Sequence, residues 1–318
     1  MKIDPRSICD RYTDDTYAKM RDDNQRTEAY AAAIAEVADG RVALDIGTGA
    51  LALLAVMAAK AGAKHVYAVE ANEQAYQAAV QTVADQGLSD RVTILHGFST
   101  DVTLPERVDL LLHEIIGEVG GAEGVAAAVL DASARHLMPP SSSSSSSDSS
   151  QPTLSVPARA RTLLGPAEFP GPEYFASLPY PMLAAPGARA LKLPSLPRSV
   201  LLAEPQTFED LRFESATPLA TQDVELQFEM ARAGTLRGLA LHVEVFLLDG
   251  DAAEPEVSSA VVGSHWPNVF LMLREPIEAA AGMRVSVRAR SALDAVPAYT
   301  FEVSIEGEPV DEMRYPEL

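Results

Sequence analysis

The chain has 318 residues, 47% of them hydrophobic, which is enough for a sizeable core and long enough for two domains. Its 45 acidic residues against 25 lysines and arginines leave a net charge of −20, a balance that repels nucleic acid and anionic membranes and attracts a cationic partner. A single cysteine, Cys9, cannot form a disulfide within these residues, the polar start MKIDPRSICDRYTDD lacks a secretory apolar core, and no run approaches the ~18 apolar residues of a membrane span, so a soluble, cytoplasmic protein is expected.

In chain order, RVALDIG reads as a strand and ALALLAVMAAKAGA as an Ala/Leu-rich helix. HVYAVEA is a second strand, followed by the helix NEQAYQAAVQTVADQG with Gly87 as a left-handed stop. RVTILHG and VDLLLHE are the next strands, and GVAAAVLDASARHL is another helix. This alternation predicts βαβ units in a parallel, doubly wound sheet, with ligands at the carboxyl ends of its strands. Asp45, Glu70 and Glu114 all fall at such ends.

The character changes near residue 139. PPSSSSSSSDSSQP cannot bury enough apolar area to order itself and reads as a connector. TLSVPARARTLLG is strand-like, and the proline-rich residues 166–197 argue against long helices. GLALHVEVFLLDG, MRVSVRARS and YTFEVSIEG are strands, the last placing Phe301, Val303 and Ile305 on one face. The expected fold is α/β: a Rossmann-like parallel-sheet domain followed by an antiparallel β-barrel-like domain. Its boundaries are expected at residues 1–30 for an N-terminal helical segment covering the ligand, 31–139 for the parallel-sheet domain, 140–152 for the Ser-rich connector and 153–318 for the β domain.

LDIGTGA places Gly47 and Gly49 at a strand-to-helix turn, where glycine allows close backbone approach and the helix start offers free N–H groups. Glu70 closes the second strand, where an acid can accept two ribose hydroxyls. A dinucleotide would use Gly47, Gly49 and Ala52; S-adenosylmethionine would use Asp45 with the glycine turn and Glu70. Asp45 favours the second, because an acid there can hold an ammonium group and would sit badly beside a pyrophosphate.

HEIIGEVGGAEG places Glu114 and Glu123 nine positions apart around three glycines, straight after an apolar strand. Carboxylates there can be loop solubilisers, metal ligands, an acid/base pair or a cation clamp. The metal reading is the weaker, since beside His113 no second histidine lies at ligand spacing. Glu118 is a further acid of the same loop.

Across most of its length the chain resembles the protein arginine methyltransferase family. YAKMRDDNQRTEAY is similar to the family's helices ahead of the sheet, LDIGTGA to its cofactor loop, YAVEAN to its ribose acid, HEIIGEVGGAEG to its double-glutamate loop, and SHWPNVF to its threonine-histidine-tryptophan loop, with Ser264 in place of threonine. The resemblance implies S-adenosyl-L-methionine as cofactor, bound by Met20, Arg26, Asp45, Gly47, Gly49, Glu70, Ser99 and Thr100, with Tyr12 closing the pocket. It implies Glu114 and Glu123 as the guanidinium clamp, a His265–Asp23 pair linking the domains and passing the proton, and Trp266 and Tyr17 at the substrate. The implied partner is a basic arginine-containing protein or peptide, or a small guanidine such as free arginine, with neither nucleic acid nor membrane. A homodimer stays open, as does a binding or scaffold role with reduced activity. The chain departs from the family at GTGALA, which lacks the usual third glycine, at Val125, and in the short proline-rich segment where many members carry a dimerisation arm.

Overall fold

In a computed structural model of the chain, the described residues are 20–139, 154–178, 187–213, 221–293 and 296–316. Tyr12, Tyr17 and the whole of the expected connector 140–152 lie outside them.

The first domain is a five-stranded parallel sheet in the order β3-β2-β1-β4-β5. Its strands are β1 (Val42–Ile46), β2 (His65–Glu70), β3 (Val92–His96), β4 (Leu110–His113) and β5 (Leu154–Val156). Every residue of β1 and β4 is buried, as expected for a sheet covered on both faces, and this is why those strands read as continuous apolar runs. Helices α1 (Asn24–Val37), α2 (Leu53–Lys60), α3 (Glu73–Asp85) and α4 (Val125–Arg135) surround the sheet sequence. Asn72 caps α3 by accepting from the Ala75 N–H, and Gly87 follows its end with φ +66°, as the sequence suggested.

β5 corrects the expected domain boundary. Residues 154–156 pair in parallel with β4, Leu110 opposite Leu154, so the parallel domain resumes after the Ser-rich segment and does not end at residue 139. Sequence pattern alone could not separate LSV from the strand that follows, because a three-residue strand carries no period of its own.

The second domain holds two antiparallel sheets. One runs β7-β12-β10-β6-β8, with β11 (Val257–Ser258) paired to β10; the other runs β15-β14-β13-β9. The strands are β6 (Arg159–Ala167), β7 (Ala190–Leu193), β8 (Gln206–Arg212), β9 (Thr221–Glu229), β10 (Gly234–Phe246), β12 (Asn268–Ala279), β13 (Arg284–Ala292), β14 (Ala298–Ile305) and β15 (Glu308–Tyr315). Among the described residues the two sheets do not close into a barrel, which corrects the barrel-like expectation to a pair of sheets. Phe301 and Val303 are buried on one face as the alternation predicted, and Ile305 at the strand end is half-buried. Among the described residues of the proline-rich stretch, the one helix is the six-residue α5 (Pro172–Ser177). No helix of the described residues is long and apolar enough to cross a membrane. A single buried cluster runs from Tyr30 and Leu44 through Leu112 and Val119 to Leu241, Trp266 and Tyr299, so the two domains share one core.

Candidate active site

The site forms at the carboxyl ends of β1, β2 and β4. After β1 the backbone turns at Gly47 (φ +72°) and Gly49 (φ +66°), a region where a side chain would be strained. A Cβ on Gly47 would lie 2.7 Å from Ile115 Cγ2, so that glycine also lets the turn pack under the loop after β4. Ala52 opens α2 with φ +44° and no side-chain cap, the left-handed position where the sequence lacks a third glycine. Glu70 holds the turn: one of its oxygens accepts from the Gly49 N–H at 2.8 Å and the other from the Asn72 N–H at 2.8 Å.

Asp45 is 1% exposed. Its Oδ2 accepts from Thr48 Oγ1 at 2.6 Å, while Oδ1 has no hydrogen-bond partner. Burial pushes its carboxyl up to about 7, against the opposing Thr48 hydrogen bond and with help from the nearby Glu70 charge.

Arg26 lies in the first turn of α1, 4% exposed. Its Nη2 donates to Glu114 Oε2 at 2.5 Å and its Nη1 to the Met20 carbonyl at 3.0 Å. Burial disfavours its charge, but the Glu114 carboxylate outweighs that and raises its pKa. Arg26 thus joins the cofactor side of the site to the expected clamp. Glu114 Oε1, Arg26 Nε and Asp45 Oδ1 are all buried without a hydrogen-bond partner. Unpaired buried polar atoms are costly, and three around one cleft mark a place for a polar ligand. The cleft, lined among others by Met20, Arg26, Asp45, Gly47, Gly49 and Glu114, is about 40 Å³. Pockets for small-molecule ligands run to roughly 300–1,000 Å³, so this cleft is narrow by comparison. A larger cavity, about 350 Å³, opens beside β10 near Leu201, His242 and Glu244. Glu244 is already paired with Arg161 at 2.5 Å, and none of the orphaned polar atoms lines that cavity. Chemistry therefore selects the smaller cleft over the larger space.

Asp23 serves two elements. Its Oδ1 caps α1 by accepting from the Arg26 N–H at 3.1 Å; its Oδ2 accepts from both the backbone N–H and Nδ1 of His265, each at 2.9 Å. Burial pushes its carboxyl up, but the His265 and Arg26 hydrogen bonds prevail and hold it below its usual range. With Nδ1–H directed at Asp23, Nε2 of His265 is left as the basic nitrogen and lies 3.9 Å from Glu114 Oε1. The Trp266 ring lies tilted against His265, centroids 4.4 Å apart, and donates Nε1–H to the Ile116 carbonyl at 2.7 Å, so the residue expected at the substrate anchors the glutamate loop.

The loop from Glu114 to Gly124 is compact: Gly117 donates to the Gly120 carbonyl, Ala122 to Val119 and Gly124 to Gly121. It folds Glu123 back over Gly117, where an added Cβ would meet Glu123 Cγ at 3.3 Å, and leaves Glu123 half-buried. Glu118 is engaged from the β domain: Tyr315 donates to it and Lys192 pairs with it. Burial pushes Glu118 up, but the Lys192 charge leads the effects that bring it below the usual range. His113 faces the other way, edge-on to Phe213, and burial holds its imidazole neutral with a pKa of about 3.

Ser99 and Thr100 follow β3, outside the cleft's described walls; the Ser99 carbonyl accepts from Arg135 at 2.6 Å. Among the described residues no three His, Cys, Asp or Glu side chains converge as a metal-ligand set. Sequence reasoning missed Tyr30, whose hydroxyl lies 3.5 Å from the His113 carbonyl, and the β-domain residues Thr162, Glu209, Tyr299 and Tyr315 that hold the loop. None of these carries a local motif.

A parallel sheet with a glycine turn after β1 and acids at the carboxyl ends of β1, β2 and β4 characterises the first domain, and residues 28–138 match the family model of a methyltransferase domain. The chain is 27% identical over 303 residues to the probable histone-arginine methyltransferase 1.4 of Arabidopsis thaliana, covering 90% of this chain and 56% of that protein. It is 39% identical over 126 residues to the probable protein arginine N-methyltransferase 6 of the same plant, covering 39% of this chain and 28% of that one. The first of these relatives is thus matched over little more than half its length. The fold is that of Arabidopsis thaliana protein arginine methyltransferase 10 (TM-score 0.73, 19% identity, 94% of this chain and 95% of that one). It is equally that of the Trypanosoma brucei PRMT1 enzyme-prozyme complex with AdoHcy (TM-score 0.69, 20% identity, 94% and 96%). Over most of its length the chain is thus similar to proteins named as arginine methyltransferases, at 27% identity over 303 residues and 39% over a shorter stretch of 126 residues.

Proposed function

We propose that this protein transfers a methyl group from S-adenosyl-L-methionine to a guanidino nitrogen of arginine in a basic protein or peptide. The observation that carries the reading is Glu114: buried at the end of β4, it accepts a guanidinium on one carboxylate oxygen, from Arg26 at 2.5 Å, and has no partner on the other. A carboxylate so placed can accept a second planar cation on its Oε1, the oxygen that lies 3.9 Å from His265 Nε2.

S-adenosylmethionine supplies an electrophilic methyl on a sulfonium centre. Its groups fit the cleft's residues: Asp45 for an ammonium, Arg26 and the α2 start for a carboxylate; Glu70, at the end of β2 behind the glycine turn and with both oxygens accepting backbone N–H groups, would have further lone pairs for ribose hydroxyls. The guanidinium of the substrate has a pKa of ~12.5–13.8 and arrives charged, its nitrogens poor nucleophiles. Glu114 Oε1 and Glu123, accepting its N–H groups, draw positive charge away from the nitrogen to be methylated and fix its direction of attack. The product loses one proton, and His265 Nε2, 3.9 Å from Glu114 and backed by Asp23, is placed to take it.

Glu114→Gln and Glu123→Gln should each lower kcat by ~10²–10³ with S-adenosylmethionine affinity nearly unchanged, as for removal of one charge-stabilising group. Labelled cofactor offered with an arginine-rich peptide, with free arginine and with no acceptor reads this directly. Near-normal rates in both variants would refute the clamp. Preferred turnover of free arginine would move the substrate to small guanidines.

A further inference from the structure

Outside the cleft, the least expected group in the molecule is Glu209 of β8. It is fully buried, and the three groups that donate to it are all neutral. Alternation along Gln206–Arg212 should turn Glu209 outward, since its neighbour Phe208 is buried. The β6–β8 register shifts between Thr162 and Leu163, so Glu209 stands opposite Thr162 and Thr207 opposite Leu163. That bulge turns both Phe208 and Glu209 inward, and bulges commonly re-aim a side chain beside a functional site.

What Glu209 reaches is the apex of the loop between Glu114 and Glu123. Its Oε2 accepts from the Gly121 N–H at 3.1 Å and from Thr162 Oγ1 at 2.7 Å. Thr162 in turn accepts from the Gly120 N–H at 2.8 Å. Oε1 of Glu209 accepts from the Tyr299 hydroxyl of β14 at 2.9 Å, which holds the carboxylate from the opposite sheet. The loop has matched its sequence to this contact. A Cβ on Gly120 would lie 3.0 Å from Glu209 Oε2, and one on Gly121 2.9 Å from Glu209 Oε1 and 2.7 Å from Leu293 Cδ2. A second tie lies two residues earlier, where Tyr315 and Lys192 hold Glu118.

We infer that Glu209 is a positioning residue for the Glu114–Glu123 loop: from the β domain it fixes the loop apex, directly through the Gly121 N–H and through Thr162 at the Gly120 N–H, and so sets the separation of the two glutamates. The inference rests on the proposed function for its catalytic consequence, but the anchoring itself does not. A buried carboxylate with three neutral donors costs more than an apolar side chain in the same place, and what it does there is accept from the Gly121 N–H and from the Thr162 hydroxyl that takes the Gly120 N–H. A misplacement of about 1 Å in a reacting constellation can cost on the order of 10² in rate, so loosening the apex should reach the chemistry.

The test uses the full chain with Glu209→Ala, Glu209→Gln, Tyr299→Phe and Thr162→Val. Hydrogen exchange is followed in a peptide spanning residues 114–124, together with kcat, KM for an arginine-rich peptide and S-adenosylmethionine affinity by calorimetry. In Glu209→Ala the loop amides should exchange at least ~10-fold faster, kcat should fall by ~10–100-fold, and cofactor affinity should stay within about 3-fold. Glu209→Gln, which keeps an acceptor for Gly121, should recover most of that loss, whereas a purely packing role would not separate kcat from cofactor affinity. If Glu209→Ala does not fold, Tyr299→Phe and Thr162→Val show the same pattern in weaker form. Unchanged loop exchange in the folded variants overturns the anchoring. A loosened loop with wild-type kcat overturns its role in positioning. If the wild-type chain methylates no arginine acceptor, the proposed function fails, and the exchange data still decide whether Glu209 holds the loop.

Discussion

Asp45 carries two consequences of burial. Its carboxyl is raised from 3.8 to about 7, so the folded state binds its proton more tightly than the unfolded chain does. The stability this contributes is complete below about pH 4 and is lost as pH rises through about 7. Asp45→Asn should therefore melt above the wild type at pH 8, with the difference shrinking as pH falls from 7 towards 4; thermal melts across that range read the sign. The second consequence concerns the proposed cofactor. An ammonium group is attracted to the ionised form, so S-adenosylmethionine affinity should rise several-fold between about pH 6 and about pH 7.5, and Asp45→Asn should flatten that profile in calorimetry. Asp23 has the opposite sign: its lowered carboxyl stabilises above its ordinary value and loses that contribution as pH falls through the folded one. Such single-residue roles were partly visible in sequence. Asp45, Glu70 and Glu114 stand at strand ends because local patterning marks where strands stop. The His265–Asp23 pair was expected from the family resemblance alone, because the two residues are far apart in the chain; that Asp23 also caps α1 with its other oxygen required the fold.

Among the elements, the loop from Glu114 to Gly124 is where sequence and structure meet most closely. Its ends were legible from the spacing of acids and glycines; its middle was not. Gly120 and Gly121 read as flexibility, yet each sits where a β-domain side chain leaves no room for a Cβ. Gly121→Ala should therefore cost ~1–3 kcal/mol by overpacking, seen as a lowered Tm, and should lower kcat as well, since the clash displaces the clamp. An unchanged Tm would mean that Leu293 and Tyr299 yield freely. The turn after β1 shows the same limit. Gly47 and Gly49 were recognisable, but the left-handed Ala52 was not, because its conformation follows from where α2 must start beneath β2 and β4 and not from any preference of alanine. β5 was missed for a related reason: three residues become a strand only because β4 offers them an edge.

At the scale of the whole molecule, the net charge of −20 bears on how a basic substrate arrives. KM for an arginine-rich peptide should rise several-fold between about 20 and about 200 mM salt, while free arginine, with one guanidinium, should respond weakly; steady-state kinetics at the two salts check this. An equal response for both would assign the charge to solubility alone. Hydrogen bonds that join the domains converge on the proposed site: His265 to Asp23, Trp266 to Ile116, Tyr315 to Glu118, and Glu209 and Thr162 to the loop apex. The β domain therefore acts as the mould in which the glutamate loop is set. By itself the sequence determined the parallel-sheet domain, the glycine turn, the acids at its strand ends and the order of motifs, because each of these is written in short-range periodicity and spacing. Only the tertiary structure decided that Arg26 pairs with Glu114, that the β domain is two sheets, and that Glu209 turns inward to hold the loop. Those contacts join residues tens to hundreds of positions apart, and their geometry is set by a bulge, a register and a shared core that no local pattern encodes.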